Sequence, residues 1–413
     1  MMEALFTQAL GLSAPWEVVE IDFDPKANKI DFHVAPHTAS YTCPACGRAD
    51  ATRHDGELRS WQHLHFFQYR AYIHAEALRV ACAHCKAVSA LSVPWARPGS
   101  HFTLLFEAFA LSLAQVMAVN RAAALLQVNA HRLWRVYNHH VGAARAKESF
   151  AQVRKIGVDE TAAKRGHDYI TTVHDLEAER LLFATPGQDQ TTLAAFKADF
   201  IAHGGDPAAI SDIAMDMSAA YQAGAREHFP QAEVGFDRFH IVALASTALE
   251  QVRREEAKTE PLLKGSRWAW LKRPANWTSS QVDQVHHLSR LGLRTARAWR
   301  MCLTLRQIYA TTASPEAAGP QIERWIAWAR RSRLEPFKRL AQTLKTHFRG
   351  VIHGFSAGVH NGRVEAMNRA LQEARARARG YRNVKNFICI AYLIAGKLTH
   401  LPRSPFAGQT GRQ

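Results

Sequence analysis

Four of the six cysteines occur as two closely spaced pairs whose spacing suits a metal site. Cys43 and Cys46 are separated by two residues, and so are Cys82 and Cys85. Four thiolates suit a tetrahedral structural zinc site that leaves no open position for catalysis. Disulfides and buried free thiols are the alternatives, although a reducing cytosol disfavours disulfides. We predict structural Zn²⁺ in a zinc-ribbon-like module, although the gap between the pairs exceeds the commonest ribbon spacing.

Three acidic residues far apart in the sequence form a second candidate metal site. Asp159 and Asp216 each end a short apolar run that predicts a strand. Functional groups of an open α/β sheet collect at that edge. Glu365 lies near the start of a predicted helix, on the polar face that also carries Asn368, Arg369 and Gln372. Three carboxylates can hold two divalent ions for phosphoryl transfer. Singly, each acid is more simply a turn or helix-cap residue.

The elements that would position these acids are predicted from local patterns. The predicted order is strands 155–159, 169–173 and 180–185, helix 193–200, strand 210–216, helix 219–228 and strand 232–237. From about 240 to 348 the sequence predicts helices broken by prolines. The most apolar window, 101–119, is interrupted by Glu107 and Gln115, which favours a buried helix over a membrane span. No secretory signal is recognisable, so we expect a cytosolic protein with no membrane partner.

Positive charge is concentrated in the C-terminal part of the chain. Residues 1–250 contain 22 Lys or Arg against 27 Asp or Glu, whereas residues 251–413 contain 30 against 9. Clustered cations predict a polyanionic partner, although a solvated basic face is the alternative. Arg267, Lys272 and Arg273 are interleaved with tryptophans, a combination that suits phosphate contact and base stacking. We therefore favour nucleic acid as the partner.

A helix-turn-helix is predicted after the cysteine module. Residues 121–127 and 130–137 predict two short helices around a turn at 128–129. The predicted inward residues are Leu125, Leu133 and Val136, and the outward ones are His131, Arg132 and Arg135. Many helical hairpins never touch DNA, so the pattern alone is only suggestive. Its position behind a zinc module in a basic protein favours DNA binding.

Several short runs occur in the order known from one family. They are Ile156-Gly-Val-Asp-Glu160, Gly166-His-Asp-Tyr169 with Thr172-Val-His-Asp175, Ala214-Met-Asp-Met-Ser218, Gly235-Phe-Asp-Arg-Phe-His240, Asn361-Gly-Arg-Val-Glu-Ala-Met-Asn368 and Gly380-Tyr-Arg-Asn383. Over nearly the whole chain these runs resemble the DDE transposases of bacterial insertion sequences of the ISL-three family. Such enzymes typically carry Gly after the glutamate, where this chain has Ala366.

The resemblance implies a multidomain α/β chain. It would contain a ribonuclease-H-like catalytic core with a large all-α insertion, preceded by a zinc-ribbon-like module and a helix-turn-helix. The predicted domains are 1–100 (zinc module), 101–150 (helix-turn-helix), 151–240 (first part of the core), 241–349 (basic helical insertion), 350–403 (second part of the core) and 404–413 (tail). The resemblance maps the catalytic acids, with two Mg²⁺ (or Mn²⁺) ions, onto Asp159, Asp216 and Glu365. We interpret Asp237, Arg238 and His240 as supporting residues that anchor the insertion.

The predicted activity is metal-dependent DNA strand cleavage followed by strand transfer. Its partners would be the element's terminal inverted repeats, target DNA and at least one further copy of the chain, in the bacterial cytosol at the nucleoid. The predicted DNA-contacting residues are His131, Arg132, Arg135, Arg267, Lys272, Arg273, Arg363, Asn368, Arg369 and Arg382. The alternative is a catalytically inactive or domesticated sequence-specific DNA-binding regulator, which would not need the three acids.

Overall fold

The computed structural model divides the chain into two compact units, residues 1–145 with 398–413 and residues 146–397. It describes residues 2–164, 169–187, 190–356, 359 and 362–404. The side chains of Gln190, Arg363 and Glu365 lie outside that description, as does the predicted tail beyond Ser404. Among the described residues, no helix is long and apolar enough to cross a membrane.

The first unit begins with helix α1 (Met2–Ala9) and a largely antiparallel sheet. Its described strands are β1 (Trp16–Asp24), β2 (Lys29–Pro36), β3 (Thr52–Gln62), β4 (Arg70–Ala81) and β5 (Val88–Ala90). The order is β1-β2-β4-β3, with β5 paired to β4. Alternate residues of β2 and β4 are buried, among them Phe32 and Ile73, because a strand turns every second side chain to the same face. The sequence analysis did not predict β1 and β2.

Three helices follow in the same unit. They are α2 (Leu104–Val116), α3 (Val119–Leu125) and α4 (Ala130–Arg145). The predicted helix-turn-helix is therefore present in outline, and Leu133 and Val136 are buried as expected. The prediction for Leu125 was wrong, because Leu125 is 55% exposed and Leu126 is 3% exposed. Helix α3 starts earlier than predicted, so its buried row ends on Leu126.

A mixed five-stranded sheet organises the second unit. Its described strands are β6 (Lys155–Ala162), β7 (Tyr169–Asp175), β8 (Arg180–Pro186), β9 (Asp212–Met215) and β10 (Glu233–Phe236). They lie in the order β10-β9-β6-β7-β8, with β10, β9 and β6 parallel and the β6-β7-β8 meander antiparallel. The predicted strands are confirmed, with one correction: β6 continues past Asp159 to Ala162, because β7 pairs with it over its full length.

Helices cover this sheet and form most of the rest of the unit. The first helices are α5 (Gln190–Ala202), α6 (Ala219–His228), α7 (Arg238–Glu256), α8 (Arg267–Leu271), α9 (Ser279–Leu288) and α10 (Arg294–Thr311). The remaining ones are α11 (Pro315–Arg331), α12 (Glu335–Thr346), α13 (Phe348–His353), α14 (Gly362–Ala378) and α15 (Val384–Ala395). Short 3₁₀ turns at Pro207–Ala209, Pro261–Leu263 and Pro274–Asn276 connect some of them. The predicted helical character of residues 240–348 is thus confirmed.

The two faces of the second sheet pack against different layers. Ile156, Val158 and Ile213 belong to a large core that also contains residues of α5, α6 and α7. Ala214, on the opposite face, packs with Val364 at the start of α14. Since side chains alternate along a strand, Asp159 and Asp216 belong by position to the face that carries Ala214 and therefore to the α14 side.

Candidate functional site

The four paired cysteines converge at one end of the first unit. The Sγ atoms of Cys43 and Cys85 are 3.7 Å apart, those of Cys46 and Cys82 are 3.6 Å apart, and all four lie within 4.8 Å of one another. Zn–S bonds of 2.3 Å require tetrahedral sulfur–sulfur distances of about 3.8 Å. None of these cysteines forms a disulfide. The geometry therefore matches a four-thiolate metal site.

Two equivalent turns hold these cysteines. The amide of Gly47 donates to the carbonyl of Cys43, and the amide of Lys86 donates to the carbonyl of Cys82. Gly47 and Lys86 both have positive φ, so each chain reverses just after its second cysteine. The Cys85 amide hydrogen-bonds to the Cys82 sulfur and lowers the pKa of that thiol to about 7. At least one thiolate is thus favoured before a metal binds.

Helix α4 is the candidate DNA-reading element of the first unit. His131 and Arg135 are exposed, as predicted from the sequence. Arg132 is half-buried, and its guanidinium carbon lies 4.3 Å from the centre of the Phe102 ring. Of the two arginines, Arg135 is therefore the one whose side chain is more open to a partner.

A buried acid that the sequence analysis did not interpret fixes α4 against α2. Glu107 accepts hydrogen bonds from Arg97 (2.9 Å), Ser100 (2.6 Å) and His140 (2.6 Å). Burial alone would raise the pKa of Glu107, but these hydrogen bonds outweigh it and lower the pKa. The sequence shows only that Glu107 interrupts an apolar window. This pattern predicts a buried charge but does not reveal its hydrogen-bond partners.

In the second unit, the register of β6 against β9 brings two of the predicted catalytic acids side by side. Gly157 pairs with Ala214 in parallel register. Two further residues along each chain lead to Asp159 and to Asp216, the first residue after β9. Asp216 accepts from the Ser218 amide at 2.9 Å, just before α6 begins. Both acids thus lie at one end of the parallel strands, and Asp216 is also close enough to Glu160 to raise the pKa of Glu160.

The α14 helix contributes directly to this edge. The Asn368 amide donates to Asp159 Oδ2 at 2.6 Å, Gln372 contacts the Thr161 hydroxyl, and Arg375 donates to the Ala162 carbonyl at 3.3 Å. These residues recur at helical spacing, so one row of α14 lies along β6. Glu365 belongs to the same helix one turn before Asn368, but its side chain lies outside the described residues.

The contact of Asn368 departs from its predicted role. The sequence analysis placed it on DNA, whereas its amide is used within the chain. Arg375 was not predicted at all, although it continues the helical row from Gln372.

The environment of Asp159 disfavours its charge. Burial raises the pKa of Asp159 to about 6. The Glu160 amide, His240 and Asn368 oppose the rise, and the neighbouring Asp237 adds to it. His240 Nε2 lies 4.0 Å from Asp159 Oδ1 and 3.9 Å from Asp237 Oδ2, between the two carboxylates. A cation at this edge would relieve the cost of burying the acid.

Asp237, Glu160 and Arg238, which lie close to Asp159 in the sequence or in the fold, make different contacts. Asp237 is buried and caps α7 by accepting from the Phe239 amide at 3.0 Å. Glu160, next to Asp159, is hydrogen-bonded to Tyr221 of α6, and burial raises its pKa. Asp216 adds to that rise and His240 opposes it, so Glu160 also lies near the acidic edge. Arg238 lies over the Phe239 ring at 5.4 Å.

The other predicted DNA-contacting residues are dispersed over the second unit. Arg267 pairs with Glu250 at 3.4 Å and lies over Trp268 at 5.1 Å. Lys272 donates to Gln281 at 3.4 Å. Arg267 is itself exposed, as are Arg273, Arg369 and Arg382. Arg363 lies outside the described side chains.

Comparison with known proteins assigns each part of the chain. A family described as "Transposase" matches residues 156–391, more than half of the chain. The helix-turn-helix domain of transposase family ISL3 matches residues 91–141, and the zinc-finger of transposase IS204/IS1001/IS1096/IS1165 matches residues 40–85.

Full-length relatives agree with these matches. The transposase for insertion sequence element IS1557 from Mycobacterium tuberculosis is 29% identical over 440 residues, covering 96% of this chain and 97% of the relative. The transposase for insertion sequence element IS1001 from Bordetella parapertussis is 24% identical over 379 residues, covering 90% and 92%. With zinc ribbon, helix-turn-helix and transposase regions in this order, the chain belongs to the ISL3 family of insertion-sequence transposases.

Proposed function

We propose that this transposase cuts and rejoins DNA by a two-metal mechanism in which Asp159, Asp216 and Glu365 are the catalytic acids. One observation supports the assignment most: the β6–β9 register aligns Asp159 with Asp216, while α14 contacts Asp159 through Asn368, three residues after Glu365. The strand order β10-β9-β6-β7-β8 supports a ribonuclease-H-like core. Helices α7 to α13 lie between β10 and α14 and would form its all-α insertion.

The donor set suits magnesium. Mg²⁺ prefers a few carboxylate oxygens together with water and substrate phosphate oxygens. Asp159, Asp216 and Glu365 would hold two ions, which would supply a nucleophile at neutral pH and charge stabilisation for the leaving oxygen. Asn368 orients the Asp159 carboxylate by donating to Oδ2, and His240 faces its other oxygen. Water would hydrolyse a phosphodiester at the element's end, and the freed 3′-hydroxyl would then attack target DNA.

The first unit would supply recognition of the terminal inverted repeats. The four sulfurs have the spacing of a tetrahedral site and would hold structural Zn²⁺. Helix α4 would read bases with exposed His131 and Arg135, and Arg132 is better placed to brace the helix on Phe102. Because two element ends must meet, the active assembly would contain at least two chains.

A strand-cleavage assay tests the mechanism. Wild type and Asp216→Ala are compared on DNA carrying the element's ends and on scrambled DNA, with and without added Mg²⁺. We expect cleavage only of end DNA by wild type with Mg²⁺, and unchanged end binding by Asp216→Ala. End-specific binding with no cleavage by wild type would instead favour the DNA-binding regulator.

A further inference from the structure

A cavity of about 590 Å³ opens among helices α7, α8 and α10 of the second unit. Its volume falls within the roughly 300–1,000 Å³ of small-molecule sites. Arg238 and Phe239, which line it, directly follow Asp237 at the start of α7. One residue further along, His240 Nε2 lies 4.0 Å from Asp159. The cavity therefore begins beside the acidic edge but is separate from it.

Three arginines give this cavity a positive lining. Arg238, Arg273 and Arg306 contribute guanidinium groups, and the described lining residues include no acid. Arg306 Nη2 donates to the Ser246 hydroxyl at 3.0 Å, which fixes one of the three. Arg273 is exposed and precedes the 3₁₀ turn at Pro274–Asn276, so it lies at the cavity's open side. A hydrogen-bonded guanidinium at Arg306 and an exposed one at Arg273 together suit a phosphate-bearing ligand.

Apart from Gln307, the rest of the lining is mainly apolar and includes two aromatic residues. Leu303 and Tyr309 of α10 face the cavity together with Phe239 of α7. The Tyr309 ring is stacked on Phe355 with centroids 4.5 Å apart and planes inclined by 7°. That stacking fixes the ring without a ligand. A site for a bare anion would not need these walls, and a site for an apolar ligand would not need three arginines.

We propose that this cavity binds one unpaired nucleotide of the DNA strand, with the base against the apolar walls and the phosphate against the arginines. The proposal rests on the proposed DNA-cleaving function, since the strand would reach the cavity from the neighbouring acidic edge. A base must leave the duplex stack to enter such a pocket. Stacking on aromatic side chains accepts any base because every base has a flat face. The cavity would thus hold a nucleotide next to the cleaved bond without reading its identity.

Equilibrium dialysis of dAMP against the full-length, zinc-loaded protein without added Mg²⁺ tests the proposal without any cleavage. Deoxyribose 5-phosphate and inorganic phosphate are the matched ligands without a base. We expect both to bind about tenfold more weakly than dAMP, because they cannot stack. Leu303→Trp fills the cavity and should abolish dAMP binding, and Arg273→Gln or Arg306→Gln should weaken it. Arg330→Gln, an exposed arginine outside the lining, removes the same charge and should leave binding unchanged.

Each outcome decides the proposal. Equal binding of phosphate and dAMP would reduce the cavity to an anion site and overturn it. Absence of dAMP binding, or binding unchanged in Leu303→Trp, would also overturn it. If Leu303→Trp fails to fold by circular dichroism, the two arginine variants decide against the Arg330→Gln control. Because the measurement needs neither added Mg²⁺ nor cleavage, a protein that binds dAMP but cuts no DNA would refute the proposed chemistry alone.

Discussion

The cysteine cluster and the acidic edge are both candidate metal sites, but the chain builds them in opposite ways. Each cysteine pair is made by one short turn, and the two turns are brought together within one small sheet. The acidic edge depends on the register of β6 against β9 and on a contact between Asp159 and Asn368, which are 209 positions apart. Each half of the cysteine cluster forms from residues that are close in the sequence. The acidic edge, by contrast, exists only when the whole second unit is folded.

The electrostatics of the two sites differ as well. Backbone hydrogen bonding lowers the pKa of Cys82 to about 7, whereas burial and the neighbouring thiols raise the pKa of Cys46 to about 12. Burial raises the pKa of Asp159 to about 6, so the charged form at the acidic edge is disfavoured. The cysteine cluster thus offers one thiolate near neutral pH, to which a metal can bind first. A site that destabilises its own charge gains most from cations that arrive with a phosphate substrate.

The largest expected effect separates Asp159 from its neighbour Glu160. Asp159→Asn should reduce strand cleavage by about three orders of magnitude or more, since residues that act as one catalytic unit fail together. End binding should persist, because the change is nearly isosteric. Single-turnover cleavage of end DNA with Mg²⁺ measures this effect.

Glu160→Gln is the matched control on the same strand. Its side chain is hydrogen-bonded to Tyr221 of α6 and is not one of the proposed metal ligands, so it should retain measurable cleavage. Equal loss in both variants would show that Asp159 has no role distinct from that of Glu160.

A smaller effect is expected at the cysteine cluster, and it should be confined to the zinc module. Cys46→Ser removes one of four ligands and should release the metal, with loss of ordered structure in the zinc module. Zinc content by atomic emission and near-ultraviolet circular dichroism report the change. Cys302→Ser is the control because that thiol is buried among α7 and α10 of the second unit and is not one of the four clustered cysteines. Full zinc content in Cys46→Ser would contradict the four-thiolate site.

The different construction of the two sites explains what the sequence could predict. The Cys-x-x-Cys spacing identifies the cluster because each turn is encoded by adjacent residues. The strands of the second unit were also predicted, because their apolar runs are short and bounded by turn residues. Strand β1, by contrast, was missed, since a register shift between Val18 and Glu20 interrupts its alternation and few of its residues are buried.

The details of the acidic edge depend on tertiary structure. Sequence placed Asp159 at the end of a strand, whereas pairing with β7 extends that strand to Ala162. Sequence placed Asn368 on the same helix face as Glu365 but could not reveal that its amide contacts Asp159. The period of the helix was sufficient to predict that Asn368 and Glu365 share one face of α14. Only the packing of α14 on β6 shows that Asp159 is the hydrogen-bond partner of Asn368.

A third prediction measures how much the distributed site depends on that packing. Asn368→Ala removes a hydrogen bond to a carboxylate and should lower cleavage about tenfold, because such a bond is worth about 1.5–3 kcal/mol and other contacts remain. The half-maximal Mg²⁺ concentration should rise, since the Asp159 carboxylate loses its orientation. Arg369→Ala, at the next and exposed position, should leave the Mg²⁺ requirement unchanged. An unaltered Mg²⁺ requirement in Asn368→Ala would indicate that Asn368 does not position Asp159.

The smallest expected effect concerns a histidine in the sheet that carries the acidic edge. His174 is fully buried on β7 opposite Gly157, and burial lowers its pKa to about 3 from the ordinary 6.5. Between those values the unfolded chain binds the extra proton and the folded chain does not. The free energy of unfolding is therefore highest above pH 6.5 and falls as the pH drops towards 3. One such group contributes a slope of at most about 1.4 kcal/mol per pH unit.

His174→Phe keeps an aromatic ring without the proton site, so urea unfolding of the second unit should depend less on pH between about 4 and 6.5. His37→Gln, in the first unit with its side chain 81% exposed, should leave the slope unchanged. If wild type and His174→Phe lost stability equally on acidification, the burial of neutral His174 would not cause the loss of stability at low pH. The carboxylates would then have to account for it.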